Sequence, residues 1–266
     1  MCHLAEGANQ MLSIYRAASR FIASTRSFVI FVWQVSVGVV TPPFRMREAM
    51  RQIEFAGVQS APIIVLCVCF AAVVTIVESS FHMKMVVQSD ALVPGFAALL
   101  ILRELGSVTV ALLLASRVGA GIAAEVASMQ ITEQIDALRM LGIDPIRFIV
   151  VPRFIACVFA GLALAAIANV ACVACAMLVS VIKLGYTFGG FITAMRTFAK
   201  FQDLVFACAK GAVFGAAIPL LSCWRGLCCE PGAQGVGMAT TNAVVASSVA
   251  IIVLDFAMTF LFSYFY

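Results

Sequence analysis

The sequence predicts an all-α, polytopic membrane protein with five transmembrane helices, an N-terminal interfacial amphipathic helix and a short helix in a cytoplasmic connection. Of its 266 residues, 63% are apolar and 11% are charged, and the mean hydropathy is +1.08. Charged residues make up about a quarter of a typical soluble domain, so the bilayer is the solvent for most of this chain. The net charge of +4 is too small and too dispersed to indicate a nucleic-acid partner.

The N-terminal region is predicted to lie on the membrane surface. Its apolar run, residues 28–40, is shorter than the about 20 residues that a spanning helix needs. Arg16 and Arg20 share one helical face and apolar residues lie elsewhere, which favours an amphipathic segment on the cytoplasmic surface. A targeting peptide is the alternative, because this stretch is rich in Ser and Arg and poor in acidic residues.

Five apolar runs are long enough to cross about 30 Å of hydrocarbon at about 1.5 Å per residue. They occupy residues 58–80, 94–118, 148–182, 204–224 and 240–265. The chain then divides into a cytoplasmic N-terminal region with interfacial helices, residues 1–57, and a five-span domain, residues 58–266. A cytoplasmic N-terminus places eleven basic residues inside and four outside, so the positive-inside rule predicts this orientation and an outer C-terminus.

The longest inside connection, residues 119–147, carries the signals of a short helix. Thr132 can cap it, Glu133 and Asp136 lie toward its positive end, and Arg139 lies in its last turn. The sequence Gly-Ile-Asp-Pro at residues 142–145 ends it.

This short helix has an apolar face that crossing the membrane does not require. Ile135, Leu138 and Leu141 recur at steps of three. The helix therefore either packs under its own bundle or contacts a cytoplasmic partner, and the spacing alone leaves both interpretations open.

Four ionisable residues fall well inside the predicted spans: Arg103, Glu104, Lys210 and Asp255. Each costs on the order of 2.5 to 3.5 kcal/mol there, so each needs a partner or water. Neighbours on a helix point about 100° apart, so Arg103 and Glu104 must pair with other helices. We predict that Glu104 pairs with Lys210 and Arg103 with Asp255. This polar belt either locks helix packing or lines a cavity for a polar headgroup.

Glu78 ends the first span, where water can solvate it.

The ten cysteines and two histidines do not indicate a disulfide framework or a metal site. Most cysteines lie in apolar runs, and the Cys-x-x-Cys at residues 172–175 lacks further ligands. His82 is expected in a short outer loop without nearby partners. The chain carries no phosphate-binding loop, zinc-protease motif or nucleophile elbow, so we expect no enzymatic activity and no cofactor in this chain.

Several motifs, in order and spacing, resemble the MlaE/YrbE family of ABC transporter permeases. The strongest are LRELG at residues 102–106, ASRVGAGIAAE at 115–125 and MQITEQIDAL at 129–138. The resemblance continues through GIDPIR at 142–147, VPRF at 151–154, KGAVFG at 210–215 and LDF at 254–256. The resemblance covers residues 45–266.

The resemblance implies the permease subunit of an ATP-driven phospholipid transporter in a cell inner membrane, with a periplasmic C-terminus. It implies a homodimer with the lipid pathway at its interface, a separate cytoplasmic ABC ATPase that uses ATP and Mg²⁺, and MCE-domain subunits on the outer side. A small STAS-domain protein is a further expected partner. The predicted short helix becomes a coupling helix.

The resemblance also implies roles for individual residues. The family's polar pocket residues match Arg103, Glu104, Lys210 and Asp255. We add Glu78 to the expected headgroup pocket, and the expected acyl-chain contacts are Val73, Val77 and Phe256. The expected ATPase contacts are Glu125, Thr132, Glu133, Ile135, Asp136, Leu138, Arg139, Asp144 and Arg147. The chain departs from the family pattern at Ser107, where Pro is usual, at Asn242, where Arg is usual, and at Glu78, where Gln is common.

Two other classes of function compete with this interpretation. A self-contained ion-coupled secondary transporter or channel would use the buried charges as coupling sites, but the five unequal spans show no inverted repeat. An intramembrane enzyme is disfavoured because plausible catalytic histidines and serine–base motifs are lacking.

Overall fold

The computed structural model describes residues 25–41, 46–86 and 93–265. Every regular element within these ranges is helical, which confirms the all-α prediction. The chain forms two compact units, residues 1–44 and 45–266. The predicted amphipathic segment around Arg16 and Arg20 lies outside the described residues.

The described part of the first unit is a single helix, α1 (Thr25–Val40). It is apolar but shorter than the length that crosses a membrane.

Among the described residues of the second unit, five helices are long and apolar enough to cross a membrane, as predicted. A short helix, α2 (Met46–Ile53), leads through a π-turn into the first, α3 (Ala61–Val86). The others are α4 (Val93–Ile131), α6 (Val151–Lys183), α8 (Phe201–Leu227) and α9 (Ala233–Phe265). Only helices satisfy every backbone N–H and C=O locally, which is why hydrocarbon imposes this architecture.

Helix α4 extends further than the sequence predicted. It continues through residues 120–131, which were assigned to the connection, because this stretch has no Pro and a single Gly to interrupt it. Two π-turns, Ile101–Leu105 and Ala115–Gly119, widen it locally. A further π-turn, Ile146–Val150, precedes α6.

Two short helices complete the described fold. Helix α5 (Gln134–Met140) is the short helix predicted in the connection. Helix α7 (Phe188–Phe198) was not predicted, and it packs on the start of α4. Its first turn is capped by Thr187, whose Oγ1 accepts a hydrogen bond from the Gly190 N–H at 3.2 Å.

Small residues allow α6 and α8 to pack backbone against backbone. A Cβ built at Gly161 would collide with the Gly211 carbonyl oxygen, and one at Gly215 with the Cys157 carbonyl oxygen.

The nine described cysteines are all free. One of them, Cys172, is buried and its thiol donates to the Val68 carbonyl of α3 at 3.3 Å. Helix packing therefore accounts for these small side chains.

Candidate functional site

A π-turn positions Arg103 and Glu104 against α8. The turn, Ile101–Leu105, contains both residues, and each meets a different partner on α8. These partners, Asp203 and Lys210, are seven residues apart, so they share one face of α8 about 10 Å from each other along its axis. Arg103 and Glu104 are adjacent in sequence, yet their partners lie two turns apart on the same face of α8.

Lys210 is fully buried and is the centre of the larger group of charges. Its Nζ lies 3.2 Å from Glu104 Oε1 and 2.7 Å from Asp255 Oδ1. It also donates to Thr259 Oγ1 at 2.8 Å and to the Arg103 carbonyl oxygen at 2.9 Å. We call Lys210, Glu104, Asp255 and Thr259 the Lys210 cluster. It joins α4, α8 and α9, and the predicted pair of Glu104 and Lys210 is present in it.

Arg103 makes a separate pair with Asp203. Its Nε donates to Asp203 Oδ1 at 2.9 Å, and Asp203 is fully buried. The other carboxylate oxygen of Asp203 accepts from the Lys200 backbone N–H at 2.8 Å, at the start of α8. The predicted pairing of Arg103 with Asp255 is therefore wrong, because Asp255 contacts Lys210 instead.

Asp203 was not among the predicted site residues, because the predicted fourth span begins one residue later. The helix begins at Phe201, which places Asp203 in its first turn, where an acidic side chain is favourable. A seven-residue spacing from Lys210 was the available signal, because it places both residues on one helical face.

Two stacked phenylalanines cover the side of this site. The rings of Phe206 and Phe262 are 4.1 Å apart between centroids. The Arg103 guanidinium lies 5.0 Å from the Phe262 centroid, and the Lys210 ammonium lies 5.1 Å from that of Phe206. Cation–π contacts of this kind stabilise buried cations and keep water from them.

The site is closed on the side of Lys210 and Asp203 and accessible on the side of Glu104. The Lys210 and Asp203 side chains are completely buried, whereas 40% of the Glu104 side chain and 29% of the Arg103 side chain are exposed. A molecule that reaches the site would therefore meet Glu104 and Arg103 first. Ser107, on the next turn, is buried and its hydroxyl donates to the Ala207 carbonyl at 2.9 Å, which further ties α4 to α8.

In the part of the chain that the structure describes, the ion pairs and hydrogen bonds of the Lys210 cluster do not include the other predicted pocket residues. The Glu78 carboxylate is exposed and lies 3.0 Å from His82 Nε2. His82 is on α3, one turn after Glu78, so its predicted place in a loop without partners is wrong. Val77 and Phe256 are exposed on helix surfaces, and Val73 is half-buried.

The connection between α4 and α6 holds the residues predicted to contact an ATPase, except Glu125, which lies in α4. Helix α5 buries Ile135 completely and leaves Leu138 half-buried, whereas Met140 and Leu141 at its end are 89% and 74% exposed. One part of this apolar face therefore packs against the protein, and the other part is exposed.

Thr132 does not cap α5, contrary to the prediction. Its hydroxyl donates to the Ser128 carbonyl at 2.8 Å, in the last turn of α4. The residue before α5 is Glu133, in the left-handed conformation with φ 58°, and its side chain makes no capping hydrogen bond. Because α4 continues to Ile131, Thr132 ends α4 and cannot begin α5.

Gly142 ends α5, as predicted. It has φ 73°, its N–H donates to the Arg139 carbonyl, and the Ile143 N–H donates to the Leu138 carbonyl. This is a Schellman motif. Asp136 pairs with Arg139 at 2.8 Å and Asp144 with Arg147 at 3.6 Å, and these four side chains are exposed.

Glu125 has a structural partner. Its carboxylate lies 2.9 Å from the Arg153 guanidinium, whose side chain is 5% exposed, and the pair joins α4 to α6.

A cavity of about 180 Å³ lies where α8 connects to α9. Arg225, Glu230 and Asn242 contribute polar groups to its wall. Asn242 is one of the positions at which the chain departs from the family pattern.

Comparisons with known proteins agree with the sequence motifs. The family described as Permease MlaE matches residues 49–261. A probable ABC transporter permease protein of Rickettsia conorii is 34% identical over 250 residues, covering 94% of this chain and 96% of the relative. The chloroplastic protein TRIGALACTOSYLDIACYLGLYCEROL 1 of Arabidopsis thaliana is 32% identical over 249 residues, covering 92% and 69% respectively. The intermembrane phospholipid transport system permease protein MlaE of Haemophilus influenzae is 29% identical, covering 94% and 93%.

Proposed function

The chain belongs to the MlaE permease family, and from this membership we propose that it is the membrane subunit of an ATP-driven phospholipid transporter whose ATPase is a separate chain. The observation that carries this proposal is the buried Lys210 cluster. It places a polar, partly exposed site between membrane-spanning helices of a permease. Such a site suits a lipid headgroup, while the apolar helix surfaces suit its acyl chains.

Transport through this subunit consists of binding and moving lipid, with no bond made or broken by the chain itself. Glu104 and Arg103 contact the headgroup, whereas Val73, Val77 and Phe256 contact acyl chains. Glu78, at the end of α3, provides a further polar group near the predicted outer surface.

A second copy of the chain completes the lipid pathway. Helix α9 supports this proposal. Only 11% of its most apolar 18-residue stretch is buried inside the protein, whereas 50% of the corresponding stretch of α4 is buried. Its uncovered apolar surface must face lipid or another protein. We propose that both occur, with acyl chains held between two permeases.

The ATPase contacts the connection between α4 and α6. Exposed Met140 and Leu141 supply apolar contacts, and the exposed pairs Asp136–Arg139 and Asp144–Arg147 surround them with charge. Binding and hydrolysis of ATP then move α4 and α6, which this connection joins. The proposed outer MCE-domain subunits and the STAS-domain protein rest on the family resemblance, as do an inner-membrane location, a cytoplasmic N-terminus and a periplasmic C-terminus.

Purification of the tagged chain in mild detergent tests the proposed ATPase partner. We expect an ATPase to co-elute, and we expect Glu133→Lys or Asp136→Lys to remove most of the co-eluting activity. The matched control is Glu230→Lys, which reverses an exposed carboxylate in another connection and should retain the activity. Normal activity in both Glu133→Lys and Asp136→Lys would contradict coupling through α5 and the residue before it.

A self-contained secondary transporter remains the alternative, because buried charges can also couple to ions. Reconstitution of the chain alone distinguishes the two. Phospholipid movement that requires an ion gradient and proceeds without ATP would favour the alternative.

A further inference from the structure

The Lys210 cluster has one more negative charge than positive charge. Its single ammonium faces two carboxylates, those of Glu104 and Asp255, and Lys210 is the ion-pair partner of both in the described part of the chain. Arg103 does not balance the excess, because it pairs with the carboxylate of Asp203. An excess charge between membrane-spanning helices is costly, so it favours a proton or a bound cation.

Lys210 and Thr259 surround Glu104 with hydrogen-bond donors. An ammonium group can only donate, so Thr259 Oγ1 accepts from Lys210. The single hydroxyl hydrogen of Thr259 is then free to point to Glu104 Oε1, 3.1 Å away. Both Glu104 oxygens also accept from Lys210, at 3.2 and 3.3 Å. A carboxylate whose two oxygens both accept hydrogen bonds is stabilised in its charged form.

Glu104 is the carboxylate that Lys210 neutralises least. The three N–H groups of Lys210 are shared among five acceptor atoms. The two distances from Lys210 Nζ to the Glu104 oxygens are the longest of the five. Glu104 is also more exposed, at 40%, than Asp255, at 19%. Both carboxylates lie within 3.2 Å of the same Lys210 Nζ, which is close enough for their charges to repel, so a cation beside Glu104 would relieve that repulsion.

We infer that Glu104 selects phospholipids whose headgroup carries an ammonium group, an inference that rests on the proposed lipid-transport function. The ammonium lies against the exposed side of the Glu104 carboxylate, and the phosphate of the same headgroup lies toward Arg103. A zwitterionic headgroup thereby matches an acidic group next to a basic one. An anionic headgroup without an amine meets the excess negative charge and is disfavoured.

A competition experiment with the full-length chain tests this selection. The purified protein is incubated with equal amounts of phosphatidylethanolamine and phosphatidylglycerol that carry identical acyl chains. It is then re-isolated, and the bound lipids are quantified by mass spectrometry. We expect about tenfold enrichment of phosphatidylethanolamine, which corresponds to about 1.4 kcal/mol.

Two changes should remove the enrichment. One is Glu104→Gln, which keeps the shape of the side chain and removes its charge. The other is acetylation of the lipid amine, tested on the unaltered protein, which removes the cation and does not depend on a variant folding. The control Glu230→Gln, in the α8–α9 connection, should keep the full enrichment.

The possible results separate this inference from the proposed function. Equal binding of both lipids, preference for phosphatidylglycerol, or undiminished enrichment in Glu104→Gln would overturn headgroup selection and leave lipid transport standing. Equal binding is the result expected if a proton balances the excess charge. Failure of the unaltered protein to bind either lipid above a protein-free blank would overturn the proposed function and the inference together.

Discussion

Individual charges in this protein depend on partners that are distant in sequence. Lys210 has its carboxylate partners on α4 and α9, and Arg103 has its partner at the start of α8. Buried ion pairs add little net stability, but loss of one partner leaves an uncompensated charge, which is strongly destabilising. Substitutions in these pairs are therefore expected to have unequal effects.

Removal of the Lys210 ammonium should destabilise the protein more than removal of one carboxylate. Lys210→Met leaves Glu104 and Asp255 facing each other, and we expect a loss of about 3 to 5 kcal/mol. Glu104→Gln in the same chain should recover part of it. Thermal unfolding in detergent measures both variants, and equal stability of Lys210→Met and the unaltered protein would contradict the cluster.

Exchange of the charges of Glu104 and Lys210 should not restore stability. The exchange makes position 210 acidic beside Asp255, so a new repulsion replaces the original contact. The triple variant that adds Asp255→Asn should unfold at a higher temperature than the exchange alone. An exchange that is fully stable by itself would show that Asp255 lies outside the cluster.

Glu125 should affect stability as well as any ATPase contact. Glu125→Gln leaves the buried Arg153 guanidinium without its carboxylate, and because Glu125 is half exposed we expect a loss of about 2 kcal/mol. Glu133→Gln, on an exposed side chain without a described ion pair, should leave the unfolding temperature unchanged. Equal unfolding temperatures for the two variants would show that the Arg153 pair is unimportant for stability.

At the scale of helices, close packing and helix ends decide the geometry. The α6–α8 contact requires glycine at three positions, and α5 ends in a Schellman motif at Gly142. The sequence pattern at residues 142–145 identified the helix stop. The partner of each glycine became evident only in the packed structure.

Enlargement of Gly211 should separate α6 from α8. A side chain there would collide with Ala165 and the Gly161 backbone, so Gly211→Val should lower the yield of folded protein and its unfolding temperature. Gly237→Ala is the control, because a Cβ there meets open space. A normal unfolding temperature for Gly211→Val would contradict this packing.

At the scale of the whole molecule, the described part of the second unit contains five helices long and apolar enough to span a membrane, with the Lys210 cluster between three of them. Its predicted orientation places α5 and the α8–α9 connection on the cytoplasmic side. The C-terminal end of α9 then lies outside. The proposed ATPase contact requires this orientation.

Reporter fusions test the orientation directly. Alkaline phosphatase, which is active only outside the inner membrane, should be active when fused after Tyr266 and inactive when fused after Gly142. A cytoplasmic fluorescent reporter should give the reverse pattern. Phosphatase activity at Gly142 would exclude contact between α5 and a cytoplasmic ATPase.

The sequence by itself determined the helical class, the number of spans and the position of the end of α5. These follow from local physics, because hydrocarbon requires continuous apolar helices and a left-handed turn favours glycine. The tertiary structure alone decided that Arg103 pairs with Asp203 and that two carboxylates share Lys210. Ion pairing depends on the rotation and axial register of neighbouring helices, and the π-turn at residues 101–105 changes that rotation. A pattern along one chain segment does not contain this information.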